Sequence, residues 1–334
     1  MLLLPEQLPS LGERLGHPVF GALRHSNRAG LDAHVRLVAR TIGRCRIGLA
    51  LSSGSSKGLA HVGVIQVLEE NGIDIVAGSS MGAYVGACWC AGHDGRGLQL
   101  LAEDIVGRRG LFRLVDPIFY PRRGFIRGRK VRRRIARSIE NASFSDLVRP
   151  LRIVATDLGT LRTHVFDSGS VADAVHASVT MPGVCIPVEI DGELYTDGAV
   201  SDPLPVDVLE HLGIERIIAV DTVPTLDDLE ACELMTGQER TPGIFARAMS
   251  ALNRQINFFA RGNVLDTLMR GLQSSQTRLI EAAARRADVH IHAFPCGVRW
   301  YHFDQHATYI AEGRNAALEK LDAIKRLQGK EAQG

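Results

Sequence analysis

The sequence predicts an α/β fold built on a mainly parallel sheet, and three observations predict it. Short apolar runs, among them Arg46–Leu51 (RIGLAL), Leu151–Thr156 (LRIVAT) and Arg216–Asp221 (RIIAVD), have the length and character of buried strands. Stretches of helical periodicity alternate with them. Two polar, glycine-containing loops follow strands directly, at the strand ends where open α/β sheets build their sites.

Composition narrows the class. With 334 residues, 45% hydrophobic and 23% charged, the chain reads as an ordinary globular protein with room for one large core. No apolar run approaches the roughly 20 residues a membrane span needs. Met1–Leu4 stops at Pro5, short of a signal peptide's apolar core. Six cysteines without a C-x-x-C pair read as free thiols in a reducing compartment, so a cytoplasmic protein is expected. The net charge of +2 hides an asymmetry: residues 108–137 hold twelve Arg or Lys against one acid, Asp116. That stretch carries +11, which leaves −9 on the rest of the chain.

In chain order, residues 1–45 form an ancillary segment broken by Pro5, Pro9 and Pro18, with one amphipathic helix over Leu31–Ile42. Strand Arg46–Leu51 leads into the polar loop Ser52–Gly58, then into the helical LAHVGVIQVLEENGI, which Gly72 stops. A second strand, Ile75–Ala77, runs into Gly78-Ser79-Ser80-Met81-Gly82 and a helix through Cys90, and a further helix spans about Leu98–Val106. Within the basic segment Val131–Ile139 is helical. Strand Leu151–Thr156, a short helix Asp173–Val179 ended by Pro182, and a hairpin Val188–Tyr195 over Asp191-Gly192 follow. Helix Val206–Leu212 and strand Arg216–Asp221 complete the core. Residues 224–243 turn polar and acidic, as a loop or lid; 244–286 are helical, Ala287–His292 is a last strand, and Thr308–Leu327 a closing helix. The domain reading is 1–45 an N-terminal ancillary segment, 46–222 the α/β core, and 223–334 a C-terminal helical part completing the same domain.

Two loops contain G-x-S-x-G. In Gly54-Ser55-Ser56-Lys57-Gly58, five residues without an apolar anchor separate Leu51 from Lys57, so the loop suits backbone N–H groups turned into a concavity. Gly78–Gly82 goes from apolar strand to serine to helix within a few residues, the form of a nucleophile elbow. Ser80 then sits at a helix N-terminus, where developing negative charge is favoured. Ser80 is therefore the expected nucleophile. A P-loop is excluded because the G-x-x-x-x-G-K-[ST] spacing is absent.

The blocks LSSGSSKGLAH (51–61), GSSMG (78–82) and Asp197-Gly198-Ala199, with the run Ala177–Val206, resemble the signature blocks of patatin-like phospholipases. Residues 30–45 and the ADVHIHAFP stretch look most like bacterial relatives of neuropathy target esterase. The resemblance implies a patatin-type three-layer α/β/α sandwich. It also implies a Ser80–Asp197 dyad without histidine, and an oxyanion hole of N–H groups from Ser53, Gly54, Ser55 and Met81. Lys57, Gly58, Gly78, Gly82 and Gly198 are its motif support. Ser53 and Ser55 stand where the family usually has glycine; if either must adopt positive φ, it does so at some cost.

The implied activity is hydrolysis of phospholipid or lysophospholipid esters, with no cofactor and no metal. The alternatives are a weakly active or inactive lipid-binding protein and an acyltransferase using the same dyad. Asp191, Asp202, Asp157 and Asp221 compete with Asp197 on composition alone, the first two as turn residues. His61 and His176 read as packed histidines, and His290-x-His292 share a strand face. His302 and His306 with Asp304 complete the possible metal ligands. The basic stretch 108–137, with interleaved aromatics, suits either an anionic membrane surface at the inner leaflet or ion pairs with the acidic remainder. Nucleic acid is not expected, since no recognition fold accompanies the charge.

Overall fold

The computed structural model describes residues 40, 42–69, 71–105, 115–118, 123–225, 227–228, 230, 232, 263–294 and 303–329. Eight strands form one sheet: β1 (Ile47–Leu51), β2 (Ile75–Ser79), β3 (Leu151–Asp157), β4 (Thr163–Phe166), β5 (Val188–Ile190), β6 (Glu193–Asp197), β7 (Arg216–Asp221) and β8 (Val289–His292). Their hydrogen-bonded order is β5-β6-β3-β2-β1-β7-β8, with β4 also pairing with β3. The β3-β2-β1-β7-β8 pairings are parallel, and β4, β5 and β6 run antiparallel at their pairings.

Nine helices are described: α1 (Ala60–Leu68), α2 (Met81–Cys90), α3 (Gly95–Glu103), α4 (Arg129–Ser138), α5 (Val171–Ser178), α6 (Val206–His211), α7 (Val264–Ala284), α8 (His306–Glu319) and α9 (Leu321–Gly329). They cover both faces of the sheet, giving the three-layer sandwich. Alternation along β1 shows why. Ile47, Leu49 and Leu51 enter a core shared with α1, α2, α3 and α8, while Ala50 joins a second core with α6 and α7. Strands β1, β2 and β3 are buried from end to end, because helices close both faces.

Most predicted elements recur, with boundaries moved by caps. The helix expected from Leu98 begins at Gly95 because the Asp94 side chain accepts from the Gly97 N–H at 2.7 Å. The closing helix is two, α8 and α9, which meet at Lys320. The 188–195 hairpin turns over Asp191 and Gly192, both at positive φ (52° and 87°), as a two-residue turn of the primed kind requires. Strand β4 was not expected, being only four residues long and partly exposed. Cys45, Cys88, Cys90 and Cys185 are free, but Cys232 is disulfide-bonded, which corrects the expectation of free thiols throughout. Spacing in sequence carries no record of a bridge closed by the fold. The expected helix over 31–42, most of the 224–243 stretch, residues 244–262 and His302 lie outside the described residues.

The C-terminal α8 packs on α1 at a crossing made by two glycines. A Cβ on Gly63 would overlap the Ile310 carbonyl oxygen, and one on Gly313 the Ala60 carbonyl oxygen, so backbone meets backbone there. Gly313→Val should force the helices apart and destabilise the fold by about 3 kcal/mol or more, the upper range of overpacking effects. Urea unfolding of the variant beside the wild type measures it.

Candidate active site

Strand register brings the site together. Along β3, Val154 pairs with Ser79 of β2, and the next residue, Ala155, pairs with Asp197 of β6. The chain leaves β2 at Ser79 and turns into α2, so Ser80 is carried to the corner beside the end of β6. Its hydroxyl donates to Asp197 Oδ2 at 2.9 Å.

The corner is strained. Ser80 has φ 53° and ψ −118°, a conformation costing on the order of 1–3 kcal/mol for a residue other than glycine. Close packing holds it there. Cβ atoms on Gly78 and Gly82 would overlap backbone, that of Gly78 lying 2.7 Å from the Ala83 Cα and that of Gly82 against the Leu51 and Ser52 carbonyl oxygens. The Ser80 N–H donates to Ser178 Oγ at 2.8 Å, and Gly82 N–H to the Ser52 carbonyl at 3.2 Å. Ser178, a fully buried hydroxyl at the end of α5, had no signal of its own in the sequence beyond lying in the run toward Asp197.

Asp197 is buried, and its carboxylate accepts from two groups, the Ala199 N–H at 2.9 Å and Ser80. No cation faces it among the described residues. Desolvation therefore dominates, partly offset by those two hydrogen bonds, and raises its pKa from 3.8 to about 7. The backbone of Asp197 is anchored as well, its N–H to the Thr180 carbonyl and its carbonyl to Thr156 Oγ1, each at 2.9 Å.

The first loop arrives at the same corner. Ser55 has φ 53°, so the second glycine replacement does sit in the left-handed region. Ser53 does not, but its N–H donates to the Pro203 carbonyl at 2.8 Å. That bond removes Ser53 from the expected donors. Gly54, Ser55 and Met81 N–H have no acceptor among the described residues, Met81 as the first residue of α2. A Cβ on Gly54 would overlap the Thr222 hydroxyl, which donates to the Ser53 carbonyl at 3.1 Å. Lys57 is buried rather than solvated; desolvation lowers its pKa to about 8, and its ammonium lies 4.7 Å from the centre of the Phe294 ring.

Ser53, Gly54, Ser55, Lys57, Ser80 and Asp197 line one cavity of about 110 Å³, whose other walls include Met181, Pro182, Val223, Met269 and Leu272.

The other candidates lie elsewhere. His61 is fully buried and its Nε2 meets the Ser52 carbonyl at 2.8 Å; burial holds its pKa near 4. His176 is likewise buried and depressed to about 4 by desolvation. Asp157 accepts from Gly159 and Thr160 in its own turn, and Asp191 sits at the hairpin tip. Asp202 is raised to about 6 by burial but does not touch the dyad. In the basic segment Arg132 pairs with Asp173 and Arg134 with Asp104, whereas Arg127, Arg129, Arg133 and Arg137 are exposed with no ion pair among the described residues.

Comparison with known proteins shows what this chain is similar to. Residues 49–210 match the family model of patatin-like phospholipases. An uncharacterized NTE family protein of Mycobacterium tuberculosis is 35% identical over 213 residues, covering 63% of this chain and 56% of that protein. Lysophospholipase nte1 of Aspergillus fumigatus is 34% identical over 200 residues, 59% of this chain and 13% of that protein. The chain therefore matches little more than half the length of the first and a small part of the second. Among solved structures, VipD from Legionella pneumophila aligns with a TM-score of 0.51 and 15% identity over 84% of this chain and 67% of that one, a likeness of fold.

The raised Asp197 sets a pH window for stability. Its folded pKa lies above its ordinary value, so its contribution is intact below about pH 4 and is lost as the pH rises through about 7. Asp197→Asn removes a buried charge while keeping an acceptor for Ala199. The variant should be more stable than wild type at pH 8 by up to about 4 kcal/mol, at 1.36 kcal/mol per pKa unit, and the gap should close toward pH 4. Urea midpoints across that range measure it.

Proposed function

From the match of residues 49–210 to the patatin-like phospholipase model, we propose that the chain is a member of that family and a serine acyl-hydrolase cleaving phospholipid or lysophospholipid esters. The observation that carries the reading is the 2.9 Å hydrogen bond from the elbow serine Ser80 to the uncompensated Asp197 carboxylate.

Ser80 Oγ attacks the ester carbonyl carbon as its proton passes to Asp197 Oδ2. The oxygen of the tetrahedral intermediate takes negative charge and is held by the N–H groups of Gly54, Ser55 and Met81, with the α2 dipole behind Met81. Collapse breaks the ester C–O bond; the leaving alcohol takes the proton from Asp197, and the acyl group stays on Ser80. Water then attacks the acyl-enzyme, Asp197 takes its proton, and return of that proton to Ser80 Oγ releases the fatty acid. A base with a pKa near 7 is half ionised at neutral pH and strong enough to take the serine proton, which an ordinary carboxylate near 4 is not.

Support for a lipid surface comes from position. The Phe125 and Ile126 N–H groups of the basic segment donate to the Val184 carbonyl, and Val184 in turn donates to Met181, a wall of the cavity. The basic segment is thus tied to one wall of the cavity, and we propose that the exposed arginines of α4 meet anionic headgroups on that side. No helix among the described residues is long and apolar enough to cross a membrane.

A fluorophosphonate probe should label wild type and Ser56→Ala but not Ser80→Ala, and Asp197→Asn should lower labelling at least a hundredfold. A folded wild type that stays unlabelled would instead favour a non-catalytic lipid-binding protein, a reading the engaged Ser53 N–H and the strained Ser55 keep in view. Release of free acid, against transfer of the acyl group to an added alcohol, separates hydrolysis from acyl transfer. Reversing Arg129, Arg133 and Arg137 to Glu should weaken sedimentation with vesicles containing anionic lipid at least tenfold and abolish its salt dependence. Unchanged vesicle binding would count against this surface.

A further inference from the structure

Beside the oxyanion loop, at the carboxyl ends of β7 and β8, lies a second cluster that the acyl-transfer chemistry does not use. Asp221 and His292 are register partners across the parallel β7–β8 pair, and His290 pairs with Ala219. Along β8, Val289 and Ile291 enter the core while His290 and His292 share the other face, half-buried. The small side chain of Ala219 leaves His290 room to lean along β7 toward Asp221. His290 Nε2 lies 2.5 Å from Asp221 Oδ2, and His292 Nδ1 lies 2.9 Å from Asp221 Oδ1. One ligand atom from each of the three falls within 4.8 Å of the others.

A second layer stands behind one of these imidazoles. His292 Nε2 lies 2.9 Å from Asp228 Oδ2, and that same oxygen accepts from the Thr225 N–H and hydroxyl, each at 2.6 Å. An imidazole whose far nitrogen donates to a fixed carboxylate has its ring plane set, and release of the Nδ1 proton on metal binding turns that lone pair to the ion. This carboxylate–histidine relay is the usual support of a metal-ligating histidine.

We propose that Asp221, His290 Nε2 and His292 Nδ1 form a binding site for a divalent transition-metal ion of the zinc type. Two imidazoles and one carboxylate suit that class, whereas magnesium and calcium sites are made of oxygen ligands. Three protein ligands leave a fourth position, open on the side of His290, whose side chain is 37% exposed. At Zn–N and Zn–O lengths of about 2.0–2.1 Å, tetrahedral ligand atoms sit about 3.3 Å apart, so ligand atoms lying within 4.8 Å of one another need to close by about 1.5 Å at most. This departs from the metal-free expectation drawn from sequence, where His290-x-His292 had no third ligand in view.

The ion's place in the fold assigns it a positioning role. Thr222, next to Asp221, donates its N–H to Ser52 Oγ at 3.1 Å and its hydroxyl to the Ser53 carbonyl, and it fills the space beside Gly54. An ion clamping β7 to β8 at Asp221 would brace the root of the loop that bears the Gly54 and Ser55 N–H groups. The site takes no part in proton transfer between Ser80 and Asp197.

The test uses the full chain, stripped with chelator and dialysed. Titration with Zn²⁺ by calorimetry should give one equivalent bound, and Co²⁺ should give visible absorption of an imidazole-ligated ion. Zn²⁺ should raise the melting temperature. His290→Ala removes a half-exposed side chain and should weaken Zn²⁺ binding at least tenfold and abolish the thermal shift, while Ser80→Ala and Asp197→Asn bind as wild type does. Absence of binding to folded wild type, or equal binding by His290→Ala, overturns the proposal and leaves the cluster a set of histidine–carboxylate ion pairs. Should His290→Ala not fold, the wild-type Co²⁺ spectrum decides: without imidazole-ligated absorption the site is rejected.

Discussion

A carboxylate buried without a counter-charge is the constraint around which this fold is arranged. Asp197 has burial against it and two hydrogen bonds for it. An arginine beside it would have stabilised its charge and made it a poor base; solvent would have done the same. The neighbours are instead neutral: a serine hydroxyl, a backbone N–H, and threonines that hold the main chain on either side. The cost of keeping this charge in a dry place is what raises its pKa to about 7, with a serine hydroxyl 2.9 Å away.

The strain at Ser80 belongs to the same economy of position. A residue at φ 53° and ψ −118° relaxes unless packing prevents it, and here the prevention is steric. Gly78 and Gly82 let strand, helix and the Ser52 carbonyl approach until the corner has no other shape available. The first loop is tied into that corner by its own carbonyls. The Ser52 carbonyl receives the Gly82 N–H and faces His61, and the Ser53 carbonyl receives Thr222. The Gly54 and Ser55 N–H groups have no acceptor among the described residues, whereas those of Ser52, Ser53 and Lys57 donate to the Val220, Pro203 and Gly54 carbonyls.

Histidines divide along a similar line between packing and charge. His61 and His176 are buried away from strong partners, and desolvation keeps them neutral. His292 is also partly desolvated, yet contact with Asp221 and Asp228 on its two nitrogens raises its pKa to about 9. Burial alone therefore does not decide a histidine's state; the carboxylates in reach do.

Sequence by itself determined the order of elements, the parallel core strands, and the pairing of an elbow at Ser80 with a glycine-containing loop before it. These were legible because they rest on local physics: hydrophobic period, turn chemistry, and glycine where backbone meets backbone. Asp197 was singled out by its motif, since Asp191, Asp202, Asp157 and Asp221 are equally acidic in a one-dimensional reading. Only tertiary structure decided which carboxylate meets the serine, through a register in which β3 passes from Ser79 at Val154 to Asp197 at Ala155. It alone showed that the Ser53 N–H is already engaged and that Ser178 holds the elbow. It likewise brought Asp221 and Asp228 to the two histidines of β8. Each of these joins residues far apart in the chain, and no local periodicity encodes a contact that strand pairing and desolvation create together.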